Sequence, residues 1–194
     1  MLVLLRPALT LFAMLSVLTG LAYPAAVTAL AQTLFPAQAH GSLLRDGERV
    51  VGSSRIGQPF SDSGLFWGRP SATTPVPYNA AASAGSNQGP SNPALQSAVR
   101  ARIAALRAAD PSARGPVPAD LVTTSGSGLD PHISIAAALY QVPRVARARG
   151  LGEDELRRRV GAHIEGRTLG VLGEPRVNVL LLNLDLERKL RSGS

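Results

Sequence analysis

The stretch 123-TTSGSGLDPHIS-134 gathers Ser125, Ser127, Asp130 and His132 into one short run. These are the residue types of a serine hydrolase: a hydroxyl nucleophile, an imidazole base and a carboxylate to orient it. Their spacing works against that chemistry. A nucleophile elbow has glycine two before and two after its serine, whereas Ser127 has Ser125 and Leu129 there. Triad members also come as a rule from distant parts of a chain. A phosphate cradle is the second reading of the glycines, but a Walker A loop needs a lysine after them and none follows. What remains is shape. Gly126 and Gly128 can adopt positive φ, Asp130-Pro131 sets a turn, and Ser134 can cap a helix. On this reading Asp130 and His132 hold the turn by hydrogen bonds, and no residue is assigned a catalytic role. A membrane-tethered periplasmic hydrolase using Ser127, Asp130 and His132 stands as the alternative.

Metal and nucleic-acid chemistry find little support. His40, His132 and His163 lie far apart, and there is no cysteine, which excludes thiolate sites and disulfides. No metal site is expected. The net charge of +7 is carried almost wholly by arginine, Lys189 being the single lysine. The arginines run scattered from Arg45 to Arg191 without interleaved aromatics, so no nucleic-acid stripe is expected.

The front of the chain is a different solvent problem. Residues 7–39 contain no charged side chain, and 8-ALTLFAMLSVLTGLAYPAAVTALAQTLF-35 is almost continuously apolar. A helix needs about 20 such residues to cross hydrocarbon, so the run predicts a spanning helix. It is longer than a signal-peptide core, and the possible cleavage site 29-ALA-31 lies inside it. Pro24 predicts a kink, and Ser16 with Gly20 offers a small-residue face to another helix. Arg6 precedes the run and the next cation is Arg45, which places the N-terminus in the cytoplasm and residues 40–194 outside it. The expected division is a transmembrane anchor over 1–35 and a soluble α/β domain over 36–194. The expected fold class is α+β, one N-terminal transmembrane helix followed by a single mixed extracytoplasmic domain.

Within that domain, Asp46-Gly47 between Leu43-Leu44 and Val50-Val51 predicts a β-hairpin. Residues 61–93 are rich in Ser, Gly, Pro, Asn and Ala, a loop long enough to imply a function or a docked partner. Asn79, Asn87 and Asn92 are its candidate contact or shaping residues, together with Ser125, Gly126, Ser127, Gly128, Asp130 and His132 of the first stretch. A helix follows, capped by Asn92 and entered by Pro93, with Leu95, Val99, Ile103 and Leu106 on one face. Arg100, Arg107 and Arg114 fall off that face and are read as solvated. Helices are expected over 134–141, over 143–150 or continuous with it through Pro143, and over 153–165 with Leu156, Val160 and Ile164 buried. The run 176-RVNVLLLNLDLERKL-190 reads as a strand central in a sheet.

Several unusual words occur in order along the chain: 6-RPAL-9, 22-AYP-24, 42-SLL-44, 52-GSSRIGQPF-60, 69-RPSA-72, 78-YNAAASAGSNQGP-90, 118-PADLVTTSGSGLDPHIS-134, 140-YQVPRVARARGL-151 and 169-LGVLGEPRVNVLLLN-183. With these words the chain resembles the C subunit family of the bacterial Kdp potassium-transporting ATPase over nearly its whole length. Arg55, Gln88 and Ile135 depart from the pattern. The resemblance implies an inner-membrane accessory subunit that joins a potassium-binding subunit (KdpA), a P-type ATPase subunit (KdpB) and a small subunit (KdpF). It also implies a chaperone-like effect on ATP affinity, with ATP reached through the ATPase subunit and no tightly bound cofactor. Gln141, in 140-YQVP-143, is then the candidate nucleotide contact. The Asp-Lys-Thr-Gly motif of the phosphorylated subunit is absent, so this chain is not the pump itself.

Overall fold

The structure, a computed structural model, describes residues 2–113 and 115–192, with residues 2 and 189–192 described by their backbone alone. Arg114, read above as solvated, lies outside the described residues. The chain divides into two compact units, Met1–Val51 and Gly52–Ser194.

The first unit is built on a continuous apolar helix. Helices α1 (Leu2–Val17) and α2 (Tyr23–Leu34) are joined by a π-helical turn, Leu18–Ala22. Pro24 explains the turn. It lacks an N–H, and its ring would crowd the carbonyl one turn earlier. The backbone widens just before it, with Tyr23 N donating to Leu18 O. The helix Val3–Leu34 buries none of its apolar window within the protein. Its 32 residues reach about 48 Å, beyond the thickness of a bilayer core. Three of the hydroxyls that such a solvent would penalise are satisfied within the helix. Thr10, Thr19 and Thr33 donate to the carbonyls of Arg6, Leu15 and Ala29, at 2.9, 2.7 and 2.8 Å. A short helix α3 (Pro36–Ala39) precedes the hairpin β1 (Leu43–Asp46) and β2 (Arg49–Ser53). The hairpin turns at Gly47, whose φ of 62° is the conformation the Asp-Gly pair predicts.

The second unit packs four helices on a small antiparallel sheet. Its elements are α4 (Pro93–Ala109), β3 (His132–Ser134), α5 (Ile135–Arg149), α6 (Glu153–Ala162), β4 (Ile164–Glu165), β5 (Arg176–Asn178) and α7 (Val179–Ser192). The sheet order is β3-β5-β4, with Val177 opposite both Ile133 and Ile164. Ile133, Val142, Val145, Leu156, Val160, Val177, Leu182 and Leu186 are all at most 2% exposed and form one core with Phe66. Each such side chain contributes about 1.5–3 kcal/mol by leaving water. Asn92 caps α4 by accepting from Ala94 N, and Ser134 caps α5 by accepting from Ala137 N. Pro143 sits inside α5, which runs on to Gly150 in the left-handed conformation.

Three expectations are corrected. The run 176–190 is a strand only over Arg176–Asn178 and then becomes the helix α7. Asn178 makes the switch, its Oδ1 accepting from Leu181 N at 3.2 Å as a helix cap. Beyond it Val179, Leu182, Asn183 and Leu186 bury one helical face, a spacing that the density of leucines conceals. Strands therefore do not close both ends of the domain. Ile164 is not part of α6: it lies in β4 and is 39% exposed. Finally, His132–Ser134, read as the end of a turn with the helix starting at 134, is the strand β3, and α5 starts at Ile135.

Candidate functional site

A loop rich in alanine and serine meets a glycine-bearing loop. Residues 71–86 lie against residues 124–130. Ser71 Oγ donates to Gly128 O at 2.7 Å, and Ser127 O accepts from Ala84 N and Ser83 Oγ, both at 3.0 Å. Thr124 Oγ1 donates to Ser86 Oγ at 3.2 Å. The approach is too close for side chains. A Cβ on Gly85 would stand 2.8 Å from Gly126 O, and one on Gly128 would stand 2.5 Å from Ala84 O. Gly128 also has φ +68°, whereas Gly126 has neither positive φ nor a near neighbour. Of the two glycines expected to allow positive φ, one does so here.

The long loop is thus knitted, not free. Asn79 caps a 3₁₀ turn by accepting from Ala81 N and donates to Thr74 O. Asn87 adopts φ 50°. Tyr78 donates its hydroxyl to Arg69 O, and its pKa is pushed up to about 12, by burial first and by Asp130 second, against the opposing charge of Arg69.

Beside the seam runs a chain in which basic and acidic side chains alternate. Arg69 Nη1 lies 3.2 Å from Asp130 Oδ2, Asp130 Oδ1 lies 3.3 Å from His132 Nδ1, and His132 Nε2 lies 3.4 Å from Glu165 Oε2. Arg176 Nε closes the series, 3.1 Å from the same Glu165 oxygen. The chain borders an open cleft of about 480 Å³. Burial works to raise the Asp130 pKa. Hydrogen bonds from the His132 ring and backbone, with the Arg69 charge, overcome it and hold the carboxyl below its usual value.

This geometry decides the hydrolase question. Both ring nitrogens of His132 face carboxylate oxygens, leaving none for a serine. Ser127 Oγ instead accepts from Leu129 N at 3.1 Å and lies 3.5 Å from Ser125 Oγ. The proposed triad of Ser127, Asp130 and His132 is not assembled. The other histidines bond to backbone carbonyls of their own helices, His40 Nδ1 to Pro36 O and His163 Nδ1 to Arg159 O.

Gln141 sits deeper, 1% exposed. Its Oε1 accepts from Trp67 N at 2.8 Å and its Nε2 donates to Trp67 O at 3.0 Å, so the amide pairs with both backbone polar groups of one residue. Asn183 treats the preceding residue in the same way, with Phe66 N at 2.8 Å and Phe66 O at 2.9 Å. Arg144 lies over the Trp67 ring, 4.3 Å from its centroid, and donates to the carbonyls of Ser63 and Leu65 and to Gln141 Oε1. Burial pushes Arg144 down to about 10, still charged at neutral pH. A pocket of about 280 Å³ opens nearby between Trp67, Arg69, Tyr78 and Arg102, and Gln141 does not line it.

Residues 5–188 match the family model described as KdpC: K+-transporting ATPase, c chain. The chain belongs to this family. It is 68% identical over 183 residues to the potassium-transporting ATPase KdpC subunit of Sorangium cellulosum, covering 94% of this chain and 96% of that one. Similar figures hold for the KdpC subunits of Methylibium petroleiphilum, 64% identical with 95% and 96% covered, and Polaromonas naphthalenivorans, 65% with 94% and 93%.

For this KdpC family member the sequence reading missed Arg69, Arg144, Glu165, Arg176 and Asn183. Asn183 had a signal, a polar residue at helical spacing between buried leucines, hidden by the strand assignment. The arginines had none, because in so arginine-rich a chain no single one stands out.

Proposed function

We propose that this chain is a non-catalytic accessory subunit of a K+-transporting ATPase complex. It is held in the bacterial inner membrane by an uncleaved anchor over residues 1–35, with the N-terminus in the cytoplasm. Residues 36–194 form the periplasmic domain, a cap that meets a channel-like potassium-binding subunit beside the ATPase and small subunits. The observation that carries this reading is the closed seam between residues 71–86 and 124–130. Loops tied to each other by a backbone bond and by serine and threonine hydroxyls offer a fixed polar surface to a partner protein, and the side chains that could do chemistry already satisfy one another.

In this reading the chain holds no cofactor of its own, and ATP enters through the ATPase subunit. Any effect on ATP affinity is conformational, since a direct adenine contact at Gln141 would require the Trp67 pair to open. Asn79, Asn87, Ser125, Ser127 and the glycines between them shape or line the partner surface.

Protease accessibility of residues 40–194 in spheroplasts tests the placement. Digestion from outside is expected; protection there, with digestion in inverted vesicles, overturns the periplasmic cap. Deleting 79–91 is expected to abolish assembly of the complex in detergent. Ser127→Ala is expected to leave K+ uptake unchanged.

A further inference from the structure

One word of the sequence has no role in the seam or in the contacts of Gln141, Arg144 and Asn183: 168-TLGVLGEP-175 between β4 and β5. Its tip exposes Leu169 at 86%, Val171 at 72% and Leu172 at 58%. In the described part of Gly52–Ser194 only Val76, Leu139 and Ile164 are other large exposed apolar side chains, and they lie singly along the chain. The exposure does not come from a loose loop. Thr168 N donates to Leu172 O and Leu172 N to Thr168 O, both at 2.9 Å. Left-handed Leu169, Gly170 and Gly173, at φ 54°, 77° and 77°, shape the turn. Arg167 Nη2 donates to both oxygens of Glu174, at 2.9 and 2.8 Å, and closes the neck. The backbone is therefore ordered before anything covers it, which lowers the entropy lost on docking.

We infer that this aliphatic tip is an anchor that inserts into an apolar groove on another polypeptide of the complex; the inference rests on the accessory-subunit reading above. The chemistry selects this occupant. A loop that enters a lipid headgroup layer relies on Trp, Tyr, Lys or Arg at its rim. The tip 168–173 has none, and the flanking Arg167 is neutralised by Glu174. A second copy of the chain is also a poor fit. Three aliphatic side chains offer on the order of a few hundred Å², far below the ~1,200–2,000 Å² of a self-standing interface. Such a tip adds to an attachment made elsewhere. The anchor helix on the same chain supplies that attachment and raises the local concentration of the tip at its groove.

The test uses the full chain expressed with the other subunits of the complex. A photoreactive residue at position 171 in place of Val171 is irradiated in native membranes. A covalent adduct with another subunit is expected; adducts only with lipid, or only with a second copy, overturn the proposal. In parallel, Val171→Asp and Leu169→Ser are expected to lower co-purification of the other subunits about tenfold or more, with the melting temperature of the chain unchanged. Leu139→Asp, at another exposed apolar position and outside the seam, is expected to co-purify as the parent does. Unchanged recovery with the tip variants sinks the inference and leaves the accessory-subunit reading standing. Failure of the unmodified chain to recover any other subunit sinks both.

Discussion

The carboxamide of Gln141 and the backbone N–H and C=O of Trp67 face each other through two hydrogen bonds, one in each direction, 2.8 and 3.0 Å long. An amide side chain carries an acceptor oxygen beside a donor nitrogen, so it can satisfy the backbone N–H and C=O of one residue at once. By this pairing α5 holds a loop that would otherwise carry unpartnered backbone groups into the core.

Replacing Gln141 by Ala is therefore expected to destabilise the chain by about 1–3 kcal/mol, the range for leaving buried polar groups unsatisfied. Thermal unfolding of the purified full-length chain checks this. Asn183→Ala should act similarly on Phe66. The double variant should lose less than the sum, because the two amides hold adjacent residues of one loop.

The seam separates its glycines. Gly128→Ala must place a Cβ 2.5 Å from Ala84 O in a left-handed backbone. The backbone conformation alone costs about 1–2 kcal/mol, and the clash adds to it. Gly126→Ala meets nothing within 4 Å and is expected to be nearly neutral. Melting temperatures of the two variants give the comparison, and equal losses would refute the close approach of the loops.

Acid should loosen the seam in a defined direction. The Asp130 carboxyl is held below its ordinary 3.8 in the fold. A depressed carboxylate contributes stability that is present above the unfolded value and lost as pH falls through the folded one. Stability should therefore decline as pH drops below about 4. Asp110 adds to the same decline: burial works to raise it, but hydrogen bonds from Ser112 and Arg147 hold it low. Asp130→Asn should remove only its own part of the slope, measured by denaturation between pH 2 and 6.

Asn178 joins three elements. It caps α7 through Leu181 N and donates Nδ2 to Ser54 O at 2.9 Å. Asn178→Ala is expected to cost about 0.5–2 kcal/mol as a lost cap, with the Ser54 tie lost in addition. Asn178→Asp keeps the cap and removes the donor, so its loss should be smaller. Chemical denaturation of both variants separates the two contributions.

Much of the local structure follows from neighbouring residues alone. The apolar run before Phe35, the Asp-Gly hairpin, the Asn92-Pro93 helix start, the Ser134 cap and the Gly150 stop each depend on contacts within a few positions. Propensity and capping act at that range. The hydrogen bonds of Asp130 with His132 were legible for the same reason. The sequence alone did not tell strand from helix over 176–190, because a run so dense in valine and leucine satisfies both periods until a core selects one face. Nor did it show Gln141 against Trp67, Asn183 against Phe66, or Glu165 against His132. Those partners are separated by 74, 117 and 33 positions, and nothing local to either member encodes the meeting. Tertiary packing decided them: burying a polar group leaves it only the partner that the fold brings within reach.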